Sequence, residues 1–239
     1  MTSTPTERIP PEAHHDHRDV TGGWLRPAVF GMMDGLVSNT ALIAGVAGGG
    51  VQGHALVLTG LAGLAAGAFS MATGEFTSVA SQTELTRAEI EIEKAEIARV
   101  PKAEEAELAG IYRARGVDDK TAREVARQLH AQPDTVWRVH AREELGVDPD
   151  DLPSPRVAAG SSFVAFCAGA VVPLIPYFLG ADRLLWAVLL AGVALFLGGA
   201  VVSRFTNRSA LYSGSRQLIL GALAAGVTHL VGQLVGAGV

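Results

Sequence analysis

Residues 55–100 read ALVLTGLAGLAAGAFSMATGEFTSVASQTELTRAEIEIEKAEIARV. The part up to Ala80 is apolar and rich in Gly and Ala, and it is close to the ~20 residues a helix needs to cross the hydrocarbon core. The remainder is dense in Glu, Lys and Arg, yet no Gly or Pro interrupts the chain from Glu75 through Val100. One helix is therefore expected to leave a membrane and continue as a long polar stalk to Pro101.

Working outward, a second apolar span precedes this one, from Pro27 to about Gly50, and three more follow it. These run from about Val157 to Gly180, from about Arg183 to Val202, and from about Gln217 to Gly236. Charge separates the two kinds of segment. Of the 24 Asp and Glu residues, 17 fall between Ser81 and Arg156, with 12 of the 19 Lys and Arg, so the flanking spans are almost uncharged. The fold class read from this is all-α: a polytopic membrane protein with five transmembrane helices and a cytosolic helical domain inserted between helices two and three. The expected organisation is a disordered tail over 1–23, transmembrane helices over 24–80, the cytosolic domain over 81–156 and transmembrane helices over 157–239.

Within the acidic segment, helices are expected from about Lys102 to Arg115, from an Asp118 N-cap to about Ala131, and from Pro133 to a stop at Gly146. Gly60, Gly63, Gly67 and Gly74 suit close helix packing inside lipid. Pro173 and Pro176, in VVPLIPYF, either break the third span or end it near a membrane surface. Arg8, Arg18 and Arg26 precede the first span and Arg204, Arg208 and Arg216 follow the fourth, so the amino terminus, acidic segment and that loop are expected on the cytosolic side.

The net charge of -5 supplies no basic patch for nucleic acid, and the acidic excess points to a cationic partner. A lone Cys167 excludes a disulfide framework. Residues 1–23 are polar and the apolar run after them leads into another span, so no cleavable signal peptide is expected. His14, His15 and His17 in this tail form a short cluster, read as solvated tail or as a weak metal binder.

Intramembrane carboxylates are costly and point to function. Asp34 in the first span carries Ser38 one turn on, and Met71 and Glu75 share a face of the second span. The spans offer no Lys or Arg to neutralise Asp34 or Glu75, so protons or a metal ion are expected to do so. On the stalk, Glu89, Glu93 and Glu96 share one helix face, and Glu104 and Glu107 lie at i, i+3 on the next helix. Like charges at these spacings repel. A bound cation would relieve them; the alternative is a solvated face offset by Lys94, Arg99 and Lys102. His140 and Glu144, one turn apart, add a nitrogen and a carboxylate, a donor set that suits divalent iron, manganese, cobalt or zinc better than calcium. Neither an intramembrane protease pattern (GxGD or HExxH) nor a repeated ExxH of di-iron type is present. A metal buffer or sensor without transport, and a scaffold with an acidic partner-binding insert, remain as other classes.

DGLVSNTALIAGVAG, GLAAGAFSMATGEFTSVASQ, ARVPKAEEAELAGIY, HAREELG and VVPLIPYF, in this order, resemble the vacuolar iron transporter family from Trp24 onward. The resemblance implies a five-span homodimer that moves Fe2+, and often Mn2+, out of the cytosol in exchange for protons, with a cytosolic metal-binding domain between spans two and three. No prosthetic group is implied; the ion is what is bound and carried. By the same resemblance, Asp34 and Met71 belong to a pathway at the dimer interface, and Glu93, Glu96, Glu104, Glu107 and Glu144 to the cytosolic metal site. Two departures stand out. His140 and Ala141 occupy the place of a methionine pair in plant members, and Gly63 that of a second-span glutamate, whose role Glu75 is expected to assume. Ala, Gly and Arg usage suggests a prokaryotic plasma membrane.

Overall fold

The structure, a computed structural model, describes residues 23–204 and 208–238, and every regular element among them is helical. In chain order these are α1 (Leu25–Gly48), α2 (His54–Arg99), α3 (Pro101–Ala114), α4 (Asp119–His130), α5 (Pro133–Glu143), α6 (Pro155–Val171), α7 (Ile175–Phe178), α8 (Leu184–Val202) and α9 (Ala210–Gly236). The segments long and apolar enough to cross a membrane are α1, α2, α6 with α7, α8 and α9. At 46 residues α2 is about 70 Å long, more than twice a ~30 Å hydrocarbon core, so its charged half must project beyond it.

The apolar helices gather around α1, which packs on α6 and α9, while α2 lies along α6 and α8 along α9. Half of the apolar window of α1 is buried, against 17% in α2 and 11% in α9. Glycine makes the central contact possible. A methyl group on Gly35 would overlap the Phe166 carbonyl of α6, and one on Gly169 would overlap the Met32 carbonyl of α1. Backbone meets backbone there, as close helix packing in lipid requires.

Both prolines of the third span act where they stand. The α-helix gives way at Val172–Leu174 to a 3-10 turn containing Pro173, then resumes for the four residues of α7, with Pro176 in its first turn. Leu174 in this break is buried against Ile43 and Leu56. Asn39 of α1 donates to the Ala170 carbonyl just ahead of the break at 2.6 Å, so protein groups satisfy the irregular backbone. Gly180, at φ +87°, then ends the segment.

Between α2 and α6, the helices α3, α4 and α5 form a small polar unit with the end of α2. Leu108 and Ala109 of α3 and Ala126 of α4 are its buried centre, flanked by Tyr112, Leu129 and Val139. Local chemistry sets the boundaries: Pro101 and Pro133 open helices, the Asp118 side chain accepts from the Thr121 N–H, and Gly116 and Gly146 turn with positive φ.

One boundary differs from the sequence reading. The last span begins at Ala210 rather than about Gln217, because Ser209 caps it by accepting from the Tyr212 N–H at 3.2 Å. Arg216 thus lies inside α9 and not in a loop. The tail with His14, His15 and His17 lies outside the described residues.

Candidate functional site

The polar unit brings acids from three helices to one point. Pro101 starts α3 one residue after α2 ends, and the reversal sets Glu104 opposite Glu93; a straight helix would hold these residues roughly 16 Å apart. α5 packs against both α2 and α3 and supplies His140, with Glu144 one turn on as its C-cap. Glu93, Glu104, His140 and Glu144 each present a ligand atom, and all four atoms lie within 4.8 Å of one another. First-row divalent ions bind oxygen and nitrogen at about 2.0–2.2 Å, so ligands on opposite sides stand about 4 Å apart; the cluster has the size of one such ion.

The His140 ring is fully buried, with Nδ1 2.6 Å from Glu144 Oε1 and 2.9 Å from Glu93 Oε1. Glu93 Oε1 is nevertheless a buried oxygen that finds no hydrogen-bond donor among the described residues. Such an atom is costly unless a proton or a cation meets it. Burial first, and then the negative charge of Glu144, push the Glu93 carboxyl up to about 7. Burial, with the nearby charges of Glu107 and Glu104, pushes Glu144 up to about 7 as well. Glu104 is raised too, chiefly by burial and then by Glu107. Near neutral pH the cluster is thus poised to give up protons to a cation.

Of the six residues singled out for metal binding in this unit, Glu93, Glu104, His140 and Glu144 meet. Glu96 and Glu107 do not reach the point of convergence; Glu96 is half-buried and in contact with Arg99 at 3.5 Å, and Glu107 is exposed. Both act on the cluster through charge. Glu89, on the same stalk face, is exposed. His130, which no motif in the sequence marks, has its Nε2 3.0 Å from His140 Nε2. No spacing signal could have found it, because the contact depends on how α4 and α5 fold back at Ala131 and Gln132.

A second feature lies among the apolar helices. Asp34, Ser38 and Asn39 of α1, Ser70, Met71, Glu75 and Ser78 of α2, and Phe166 of α6 line a cavity of about 380 Å³. Gly63, Gly67 and Gly74 form part of its α2 wall. Asp34, Met71 and Glu75 thus share one space, and among the described residues no Lys or Arg lines it. Asn39, not anticipated as a lining residue, contributes a buried Oδ1 without a hydrogen-bond donor. Both features use α2: Glu75 and Glu93 are eighteen residues, or roughly 27 Å, apart on it.

The family model described as the VIT family matches residues 25–233. The chain is 40% identical over 219 residues to the vacuolar iron transporter of Acanthamoeba castellanii, covering 90% of this chain and 79% of that protein. It is 30% identical over 229 residues to vacuolar iron transporter 1 of Arabidopsis thaliana, covering 93% of this chain and 90% of that protein. It is also 34% identical over 227 residues to vacuolar iron transporter homolog 1 of Oryza sativa subsp. japonica, covering 89% and 74% respectively. By this match over most of its length, the chain belongs to the VIT family, that of the vacuolar iron transporters.

Proposed function

We propose that this protein carries divalent metal ions, Fe2+ or Mn2+, across a membrane and out of the cytosol in exchange for protons. The observation that carries this reading is the convergence of Glu93, Glu104, His140 and Glu144 at ion-ligand spacing, with Glu93 on the same helix, α2, that lines the Asp34 cavity. The polar unit is cytosolic in this reading, as is the amino terminus, and its cluster takes the ion from solution. Asp34, Met71 and Glu75 receive it within the membrane. Two carboxylates in that cavity balance one divalent ion or two protons, so either occupant leaves the site neutral and exchange avoids burying net charge. Met71 adds a thioether, a soft donor that suits a transition metal and not calcium or magnesium. Glu96 and Glu107 attract the ion electrostatically and raise its local concentration.

Two copies act together in this reading. The α2 span is only 17% buried, and Phe69 and Phe76 stand exposed on it near the cavity; a second copy would cover that face and close the pathway. The host is a prokaryotic plasma membrane. Flux into proteoliposomes carrying the purified protein tests the reading: Fe2+ or Mn2+ accumulates when transport operates. Stoichiometric binding without accumulation identifies a metal buffer or sensor instead.

A further inference from the structure

A contact at the metal cluster that the proposed function leaves unused is made by His130. It ends α4, and the turn through Ala131 and Gln132 into α5 brings its ring back onto His140. The rings meet edge to face with centroids 5.1 Å apart and their Nε2 atoms 3.0 Å apart. His140 is fully buried, so each of its ring nitrogens must be matched by protein. Nδ1 faces the carboxylates of Glu93 and Glu144, and Nε2 faces His130.

A neutral imidazole carries one N–H, and two nitrogens 3.0 Å apart share a hydrogen bond only when one proton lies between them. With Glu144 ionised and no metal bound, a neutral His140 donates its Nδ1–H to Glu144, and its Nε2 then accepts the Nε2–H of His130. A metal at Nδ1 needs the lone pair there, so the proton of the neutral ring must sit on Nε2. The histidine pair then keeps its hydrogen bond only if His130 Nε2 becomes the acceptor and His130 Nδ1 holds the proton. The protons balance: one leaves His140 Nδ1 for water, one passes from His130 Nε2 to His140 Nε2, and one enters His130 Nδ1 from water. His130 is only half-buried, which leaves its ring within reach of solvent.

We propose that His130 is a positioning residue of the metal site, holding the His140 ring in place and accepting its Nε2–H when Nδ1 binds the ion. This rests on the reading of Glu93, Glu104, His140 and Glu144 as a metal site. An imidazole suits the task because it reverses from donor to acceptor without changing charge. Outer partners of ligating histidines fix ring orientation and tautomer in the same way, and their loss commonly costs 10- to 100-fold in affinity.

The test uses Zn2+, a diamagnetic ion, titrated into the purified full-length protein in detergent and followed by calorimetry. His130→Leu is expected to bind Zn2+ about 10- to 100-fold more weakly than wild type. His130→Gln, whose amide both donates and accepts, is expected to stay within about threefold. Wild-type affinity in His130→Leu, with binding lost in His140→Ala, overturns the positioning role and leaves the metal site standing. Wild-type affinity in His140→Ala overturns the metal site itself and this inference with it. Nitrogen-15 histidine spectra of the wild type need no variant to fold beyond the His140→Ala used for assignment. The His140 proton is expected on Nε2 after Zn2+ is added, and a proton that stays on Nδ1 contradicts the proposal.

Discussion

Asp34 of α1 and Glu75 of α2 open into the same cavity, and no Lys or Arg among the described residues lines it. Two acids that share one space among apolar helices cannot both remain charged without a counter-ion. In the proposed function a metal ion or protons fill that role, which links this cavity to the cation-sized cluster that includes Glu93 of α2. The consequences of that link can be measured separately at each end.

Removal of one ligand should be felt across the whole cluster. Glu93→Gln keeps the shape of the side chain but takes away a charge and half of its acceptor capacity, and it should weaken Mn2+ binding by the full-length protein on the order of 100-fold, as loss of a first ligand exceeds the 10- to 100-fold typical of an outer partner. Glu89→Gln, on an exposed position of the same stalk face, should leave affinity within about twofold. Electron paramagnetic resonance of free Mn2+ reads both.

Binding should also depend steeply on pH. Glu93 and Glu144, each held up to about 7, must lose protons to ligate. Apparent affinity is expected to fall as pH drops below about 7, by up to 100-fold per unit where both protons must be displaced, and to level off above it. Titrations at pH 5.5, 6.5, 7.5 and 8.5 would show this, and a flat profile would remove the two carboxylates from the site.

Stability of the metal-free protein should run the other way. Carboxyls whose folded pKa lies above the ordinary value of 4.5 bind protons more tightly in the folded state, so their contribution to stability is full below about 4.5 and is lost as pH rises to about 7. Added metal should therefore raise the melting temperature more at pH 8 than at pH 5.5. Thermal melts in detergent with and without Mn2+ check the sign.

The membrane core rests on the meeting of α1 and α6. Gly35→Ala would force its methyl into the Phe166 carbonyl and should lower stability by about 1–3 kcal/mol or prevent assembly. Gly160→Ala, within α6 and with open space around it, should be neutral or stabilising by up to about 1 kcal/mol. Monodispersity and melting temperature in the same detergent compare the two.

The spans were legible in the sequence because lipid tolerates little besides long apolar runs; Pro173 and Pro176 marked a disturbance of the third span because proline lacks the N–H a helix needs, but whether it was a break or an end was not legible. The start of α9 was less so: its first two turns are not markedly apolar, and only the Ser209 cap marks them. At the metal cluster, residue types and helix faces were readable, but the roll of each helix was not. Leu108, Ala109 and Ala126 set the roll of α3 and turn Glu104 inward while Glu107 stays exposed. The contact of His130 with His140 arises from the fold of α4 onto α5, and no periodicity encodes it.

Coupling is the central claim, and it is tested by following metal and protons in the same vesicles. Proteoliposomes with wild-type protein, loaded with a pH indicator and given external Mn2+ under an inward-acid gradient, should accumulate Mn2+ while their interior pH rises. Asp34→Asn should do neither, although it remains folded and its polar unit still binds Mn2+. Mn2+ entry without proton movement, or equal rates in Asp34→Asn, would contradict proton exchange through the Asp34 cavity.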